Sequence, residues 1–269
     1  MQENGFLRLA IFLTVLLSMI AAEALLPRKK RTQARKPRWI TNIGFAILDA
    51  ATLRVVGSVS VMTFATFLMN NSWGLLPRLA IPYYLDIVVG VILLDLAIYG
   101  QHVISHKVPL FWRLHQVHHS DRDIDATTGV RFHPLEIIAS LFYKLAVIAV
   151  IGPLAISVVA FEIILNGSAV FNHANLKLPI WLDKGLRTII VTPDMHRVHH
   201  SVVIKETNSN YGFCLSFWDR LFKTYIAQPS AGHDGMIIGL SEWQTDSPTK
   251  LGWSLALPLK SNANNTQNA

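Results

Sequence analysis

Three short histidine boxes constrain this chain more than any other feature. They read His102-Val-Ile-Ser-His106, His115-Gln-Val-His118-His119 and His196-Arg-Val-His199-His200, and they hold eight of its eleven histidines. Residues i, i+3 and i+4 project from one side of a helix. Each box therefore aims two or three imidazoles at one point, which is the arrangement a metal ion takes. Long apolar stretches flank the boxes, so the fold must bring the chain back to the same place after each of them.

The first apolar stretch is Phe6 to Leu26, followed at once by Arg28, Lys29, Lys30 and Arg31. It reads as a retained spanning helix rather than a cleaved signal. The second runs from about Ile43 to Met69, with Asp49 and Arg54 placed at interface depth, and Asn70, Asn71 and Pro77 break it. The third starts near Pro82, a good first-turn residue, and runs into the first box. After the second box a polar stretch, Ser120 to Thr128, leads into an apolar segment from Pro134 to Val170. Gly152-Pro153 divides that segment and predicts a hairpin that enters the membrane and returns.

At about 20 residues per crossing, the pattern predicts an all-α integral membrane helical bundle with about four to five membrane helices and a cytoplasmic, histidine-rich di-metal cap. All the boxes share one face only if the crossings between them are even in number. A cytoplasmic Arg28–Arg38 loop meets that condition, with the boxes and the C-terminus on the cytoplasmic side and the N-terminus outside. The expected organisation is N-terminal membrane helices with a basic loop over 1–81, a catalytic domain over 82–228 and a polar tail over 229–269. The last residues, from Lys260 on, lack any hydrophobic pattern and are expected to be disordered.

Composition agrees. The chain is 51% hydrophobic and 15% charged, where soluble domains carry about a quarter charged residues. The net charge of +7 is not a nucleic-acid signature, because seven of the 24 Lys and Arg residues lie between Arg28 and Arg38, where the positive-inside rule accounts for them. The lone cysteine, Cys214, permits neither an internal disulfide nor a thiolate cage and reads as a small buried residue.

Eight imidazoles exceed the needs of one ion, since a catalytic zinc takes about three protein ligands, so two metals are the natural count. His173, in Phe171-Asn-His-Ala-Asn175, follows the predicted hairpin and supplies a ninth ligand. His133, ahead of Pro134, is open between ligation, contact with a bound ligand and capping of the next helix. His233, in a Gly-rich loop, reads as exposed. Asp95, Tyr99, His102 and His106 form one helical stripe, which places Asp95 and Tyr99 to accept the outer ring N–H of a ligating histidine. Asp95 and Asp86 read as the membrane carboxylates. Imidazole donors alone do not choose between iron, zinc and copper.

The ordered set His-x3-His, His-x2-His-His, Arg131-x-His-Pro-x-Glu136, Asn172-His-x-Asn175 and His-x2-His-His resembles the fatty acid hydroxylase/sterol desaturase superfamily of membrane di-iron oxygenases. Leu110-Phe-Trp-Arg113, Asn210-Tyr211-Gly212 and Phe217-Trp-Asp-Arg-Leu-Phe222 agree, and the likeness covers roughly Leu94 to Tyr225. Lys223 departs from the glycine of many relatives, beyond the ligands.

The resemblance implies two non-haem irons on His102, His106, His115, His118, His119, His173, His196, His199 and His200, with zinc able to replace iron. Asp95, Tyr99, Arg131, His133, Glu136, Asn172, Asn175 and Tyr211 are the candidates to support those ligands. It further implies O2 as co-substrate and a membrane lipid whose C–H bond is hydroxylated or desaturated in an apolar slot. The chain has no dinucleotide motif and no cysteine cluster, so electrons come from a separate ferredoxin, or a cytochrome with its reductase. Lys107, Arg113, Arg122, Arg197 and Arg220 are candidates for its docking surface. A di-zinc lipid hydrolase and a membrane metal-binding or transport protein are the alternatives.

Overall fold

The computed structural model describes residues 2–57 and 61–260. The chain forms α1 (Gln2–Leu25), α2 (Arg35–Val56), α3 (Val61–Asn70), the one-turn α4 (Leu76–Leu79), α5 (Tyr83–Lys107) and α6 (Pro109–His119). A hairpin follows, α7 (Pro134–Ile151) and α8 (Ala155–His173). The remainder is short helices: α9 (Ile180–Leu186), α10 (Pro193–His199), α11 (Ile204–Thr207), α12 (Phe217–Leu221), α13 (Gly232–Gly235), α14 (Leu251–Leu255) and α15 (Leu257–Lys260). Among the described residues β-pairing is confined to isolated bridges. The protein is an integral membrane protein: α1, α2, α5, α7 and α8 are each long and apolar enough to cross a bilayer.

Prolines and one glycine set the boundaries that matter. α5 stops before Val108-Pro109 because the residue preceding proline avoids the helical region, and Pro109 then starts α6 at its first turn. His133 precedes Pro134 in the same way at the start of α7. The predicted break at Gly152-Pro153 is the turn between α7 and α8. Gly152 there has φ 64°, and a Cβ on it would lie 2.1 Å from the Trp73 carbonyl oxygen, so only glycine fits.

Two sets of contacts fix which helix ends lie together. At the end bearing the histidines, the buried Glu23 carboxylate accepts the N–H groups of Ala126 and Asn175 at 3.1 and 3.0 Å. There Arg38 donates to Asp121 and Asp125. At the opposite end, Trp73 Nε1 donates to the Ala149 carbonyl and the Leu75 N–H to Val150. The crossings between the boxes are therefore even in number, as the sequence requires.

The second apolar stretch is not one continuous helix. α2 ends at Val56 and Gly57 follows, residues 58–60 lie outside the described residues, and α3 is a short separate helix. Arg38, counted above among topology-setting positives, is buried. The 229–260 segment is less polar in its role than in its composition. Leu240 and Leu257 pack with Phe45, Trp112 and Val117 into one buried cluster, so contacts run across both expected domain boundaries. The expectation of disorder falls on residues 261–269, outside the described residues; Lys260 closes α15.

Candidate metal centre

All nine histidines named from sequence converge in two buried groups. His102, His106, His115, His119 and His199 form one, and His118, His173, His196 and His200 form the other. Within each group the available ligand atoms lie within 4.8 Å of one another. The division follows helical geometry. In each box the i, i+4 pair stays in one group: 102 with 106, 115 with 119, 196 with 200. The residue between the pair crosses to the other group, so His118 leaves its α6 neighbours and His199 leaves its α10 neighbours. The two groups are thereby interlocked through α6 and α10.

The outer ring nitrogens show what the inner ones can do. His118 Nδ1 meets the Arg131 carbonyl at 3.2 Å, His173 Nδ1 meets Ala169 O at 2.6 Å, and His199 Nδ1 meets Ser209 O at 2.7 Å. His102 Nδ1 meets Tyr211 O at 2.8 Å, and His115 Nδ1 meets Glu136 Oε1 at 2.6 Å. A carbonyl only accepts, so these Nδ1 atoms carry the hydrogen and each Nε2 is left as a bare lone pair. Yet His118 and His173 face each other Nε2 to Nε2 at 3.0 Å, and His102 and His115 at 3.2 Å. Two lone pairs that close repel unless a cation lies between them. His106 Nε2, His199 Nε2 and both ring nitrogens of His119 are also buried without a hydrogen-bond partner.

Protonation does not supply that cation. Burial, reinforced by neighbouring imidazoles, pushes His118, His119, His196 and His200 well below the usual histidine range, and His199 to about 3. Neutral imidazole is also the form that binds metal. The donor set thus fits two metal ions, one per group. Thiolates are absent from it, so it suits iron or zinc rather than a cluster with sulfur.

The candidate supporting residues divide sharply. Glu136 holds His115 directly, and Tyr211 holds His102 through its carbonyl while its ring lies edge-on to His102, His106 and His199. Arg131 acts on His118 through its carbonyl. Its buried guanidinium, with a pKa that burial lowers to about 10, ties Val117 O, Asn42, Ser120, Pro248 O and Ser254 together.

Asp95 and Tyr99 accept no ring N–H, contrary to the stripe argument. Two turns separate Asp95 from His102, about 10 Å along the axis, and the His102 N–H has Tyr211 closer. Asp95 instead accepts from Cys214 N, Leu215 N and Trp218 Nε1. Tyr99 pairs its hydroxyl with Thr224. Asn172 donates to Phe213 O, and Asn175 accepts from Arg197 and from the Lys29 N–H.

His133 resolves as a cap. Its Nδ1 accepts the Leu135 N–H at 3.2 Å, its Nε2 lies 3.3 Å from Leu255 O, and it belongs to neither histidine group. His233 is not exposed: α13 folds onto α10 and buries it beside Asp194 at 3.6 Å. Of the cationic docking candidates, Arg197 is buried against Asn175 and Ala174 and cannot meet a partner. Arg113, Arg122 and Arg220 reach main-chain carbonyls of their own chain.

Sequence reasoning missed the network behind α6. Arg38 binds Asp121 through two nitrogens at 2.7 and 2.9 Å, and Asp125 at 2.8 Å. Burial alone would raise the Asp121 pKa, but the Arg38 charge and hydrogen bonds hold it well below the carboxylate range. Asp219 accepts from the Tyr211 and Gly212 N–H groups and so fixes the carbonyl that holds His102; burial raises it to about 6 against those bonds. Alternating aspartates at 121, 123 and 125 were the available signal for the first network. The main-chain acceptors leave none.

The fatty acid hydroxylase family model matches residues 87–224. The ornithine lipid hydroxylase OlsE of Rhizobium tropici is 26% identical over 238 residues, covering 81% of this chain and 67% of its own length. Human alkylglycerol monooxygenase is 31% identical over 142 residues, 50% of this chain and 29% of its own. Rat cholesterol 25-hydroxylase is 25% identical over 177 residues, 63% of this chain and 58% of its own. This chain therefore spans about two thirds of the bacterial relative and a little under a third of the human one. No solved structure matches.

Proposed function

This chain belongs to the fatty acid hydroxylase family, and from that premise we propose that it is an O2-dependent membrane lipid hydroxylase. The observation that supports it most strongly is the pair of interlocked histidine groups whose bare Nε2 atoms face one another at 3.0 and 3.2 Å. Two non-haem irons bound there would supply O2 activation, with one oxygen atom entering a substrate C–H bond and the other leaving as water at the expense of two electrons and two protons.

The chain's own residues do the rest. His118, His173, His199 and His102 are oriented by main-chain carbonyls, and His115 by Glu136, so the donor set is rigid before any metal arrives. Phe132 lies flat on His118, with centroids 4.7 Å apart and an angle of 6°, and Phe213 stands beside His102 and His196. These rings present an apolar wall that excludes water from the reacting carbon. They also line a cavity of about 370 Å³ between the membrane helices, which is where the lipid enters. The electrons come from a separate ferredoxin or cytochrome system.

The basic segment between α1 and α2 sets the orientation, with the histidines and C-terminus cytoplasmic and the N-terminus outside. Relatives named as hydroxylases and monooxygenases favour oxygen insertion over desaturation. Lipid mass spectrometry of cells with and without the protein, grown under 18O2, tests the reading. A lipid gaining one labelled oxygen is the expected result. Loss of two hydrogens without label would make it a desaturase, and no O2-dependent change with a competent donor present would overturn it.

A further inference from the structure

The cavity beside the metal centre is mostly apolar, but its wall also carries ionisable residues that a hydrocarbon slot does not need. It lies between α1, α2, α5, α7 and α8, and its 370 Å³ falls within the roughly 300–1,000 Å³ of small-molecule sites. Its metal end is made by Phe132, Ala169, Phe213 and Glu136, each in contact with a histidine of the two groups. Further residues on its wall are polar, and an acyl chain gains nothing from them. Some have partners within the protein: Ser140 donates to Gln101 at 3.3 Å, and Glu136 holds His115 through one oxygen, its other being buried without a partner.

Asp49 Oδ1 has no such partner, and the partly exposed Lys144 has no carboxylate to pair with among the described residues. Asp49 is 8% exposed, and its Oδ1 is buried without a hydrogen-bond partner. Lys144 makes no ion pair among the described residues, with Asp49 or with any other carboxylate. One comes from α2 and the other from α7, two helices packed together, and both line the same cavity. Sequence reasoning placed Asp49 at interface depth; α2 starts at Arg35 within the basic loop, so Asp49 sits past the middle of a spanning helix. An ionisable group inside a membrane bundle is kept for a partner. Here a carboxylate and an ammonium share one low-dielectric cavity without meeting, which leaves room between them for a guest of the opposite polarity.

We infer that Asp49 and Lys144 bind the headgroup of the substrate, and that this headgroup is zwitterionic. Its ammonium meets Asp49, and its anionic oxygens meet Lys144. The inference rests on the lipid hydroxylase reading and narrows it. Asp49 also faces Glu136, the residue that holds His115, so the ammonium end of the guest lies nearest the metal groups. Oxygen is then inserted on the headgroup side of the lipid rather than far along an acyl chain. The anionic oxygens can belong to a carboxylate, as in an aminoacyl lipid, or to a phosphate, as in an ethanolamine phospholipid.

Native mass spectrometry of the full-length, metal-loaded protein released from detergent tests this without requiring turnover. The probes are an ornithine lipid, phosphatidylethanolamine and a neutral alkylglycerol at equal concentration. The wild type should retain a zwitterionic lipid about tenfold over the alkylglycerol, and Asp49→Asn and Lys144→Met should each remove most of that preference. Metal content and unfolding temperature, measured on the same samples, identify a variant that has merely misfolded, and the wild-type preference stands as a test by itself. Retention of the ornithine lipid alone assigns the anionic group as carboxylate; retention of phosphatidylethanolamine assigns it as phosphate. Equal retention of all three lipids by the wild type, or an unchanged preference in both folded variants, would overturn the assignment. Zwitterion binding without oxygen insertion under O2 and reductant would sink the hydroxylase reading while leaving this one intact. Turnover without zwitterion preference would do the reverse.

Discussion

Glu136 accepts the Nδ1–H of His115 at 2.6 Å through one carboxylate oxygen, while the other is buried without a hydrogen-bond partner and the residue lines the cavity. One side chain thus joins the five-histidine group to the space a substrate would occupy. Glu136→Gln keeps an oxygen acceptor for His115, whereas Glu136→Leu leaves the ring N–H orphaned. The leucine variant should lose metal affinity and turnover by about 10–100-fold, and the glutamine variant should lose much less. Iron titration of both variants checks the order; equal losses would mean that the carboxylate acts by charge and not by orienting the ring.

The interlocking of the groups predicts how ligand variants fail. His118→Ala and His173→Ala both strike the four-histidine group, so each should lower bound metal from two ions toward one. His199→Ala leaves its own group four histidines and should retain more metal. On the proposed two-iron reading all three should abolish turnover. Metal analysis by plasma mass spectrometry beside activity separates the cases, and full activity in any of them would remove that histidine from the ligand set.

Removing metal should destabilise the protein. The facing Nε2 pairs, His118 with His173 and His102 with His115, repel as neutral rings, and a bound ion adds stability according to its concentration over its Kd. Chelation should therefore lower the unfolding temperature in detergent, and added Fe(II) or Zn(II) should restore it. An unfolding temperature indifferent to chelator would show that the rings are held together without an ion.

The boxes were legible because each occupies one short helical stretch, where spacing alone sets direction. The assignment of His118 and His199 to the opposite group from their neighbours was not, because it depends on how α6 and α10 face each other. The same limit explains Asp95. Its stripe on α5 is real, but a loop 119 residues further on reaches both it and His102 first. Main-chain acceptors such as Ser209 O and Ala169 O carry no side-chain signature at all. The packing of the 229–260 segment was not legible for another reason: its buried Leu240 and Leu257 sit in the short apolar runs Met236–Leu240 and Leu251–Leu259, which Gly239 and Pro258 interrupt before any periodicity is established.

Asp95 makes a contrasting prediction to Glu136. It anchors Cys214 N, Leu215 N and Trp218 Nε1 and touches no histidine. Asp95→Ala leaves three donors unsatisfied in the interior, so stability should fall by at least about 1–3 kcal/mol. Metal content per folded molecule should hardly change. Unfolding curves paired with metal analysis decide it: a variant of wild-type stability that lost its metal would place Asp95 in the metal site after all.

His233 supplies a pH dependence independent of the metal ligands. The residue is 5% exposed, and burial, with Arg197, Arg28 and Arg187 nearby, outweighs Asp194 and lowers its pKa to about 4. The unfolded chain takes up that proton near 6.5, so between these values the unfolded state binds more protons than the folded one. The stability associated with the neutral ring is then fully present above about pH 6.5 and is lost as pH falls toward 4. His233→Gln cannot titrate, and the other histidines contribute equally to both proteins. The stability difference between wild type and variant should therefore shrink steadily from pH 7 to pH 4.5. Thermal unfolding of both in the same detergent at several pH values measures it, and parallel curves would mean that the ring takes its proton without leaving the α10–α13 contact.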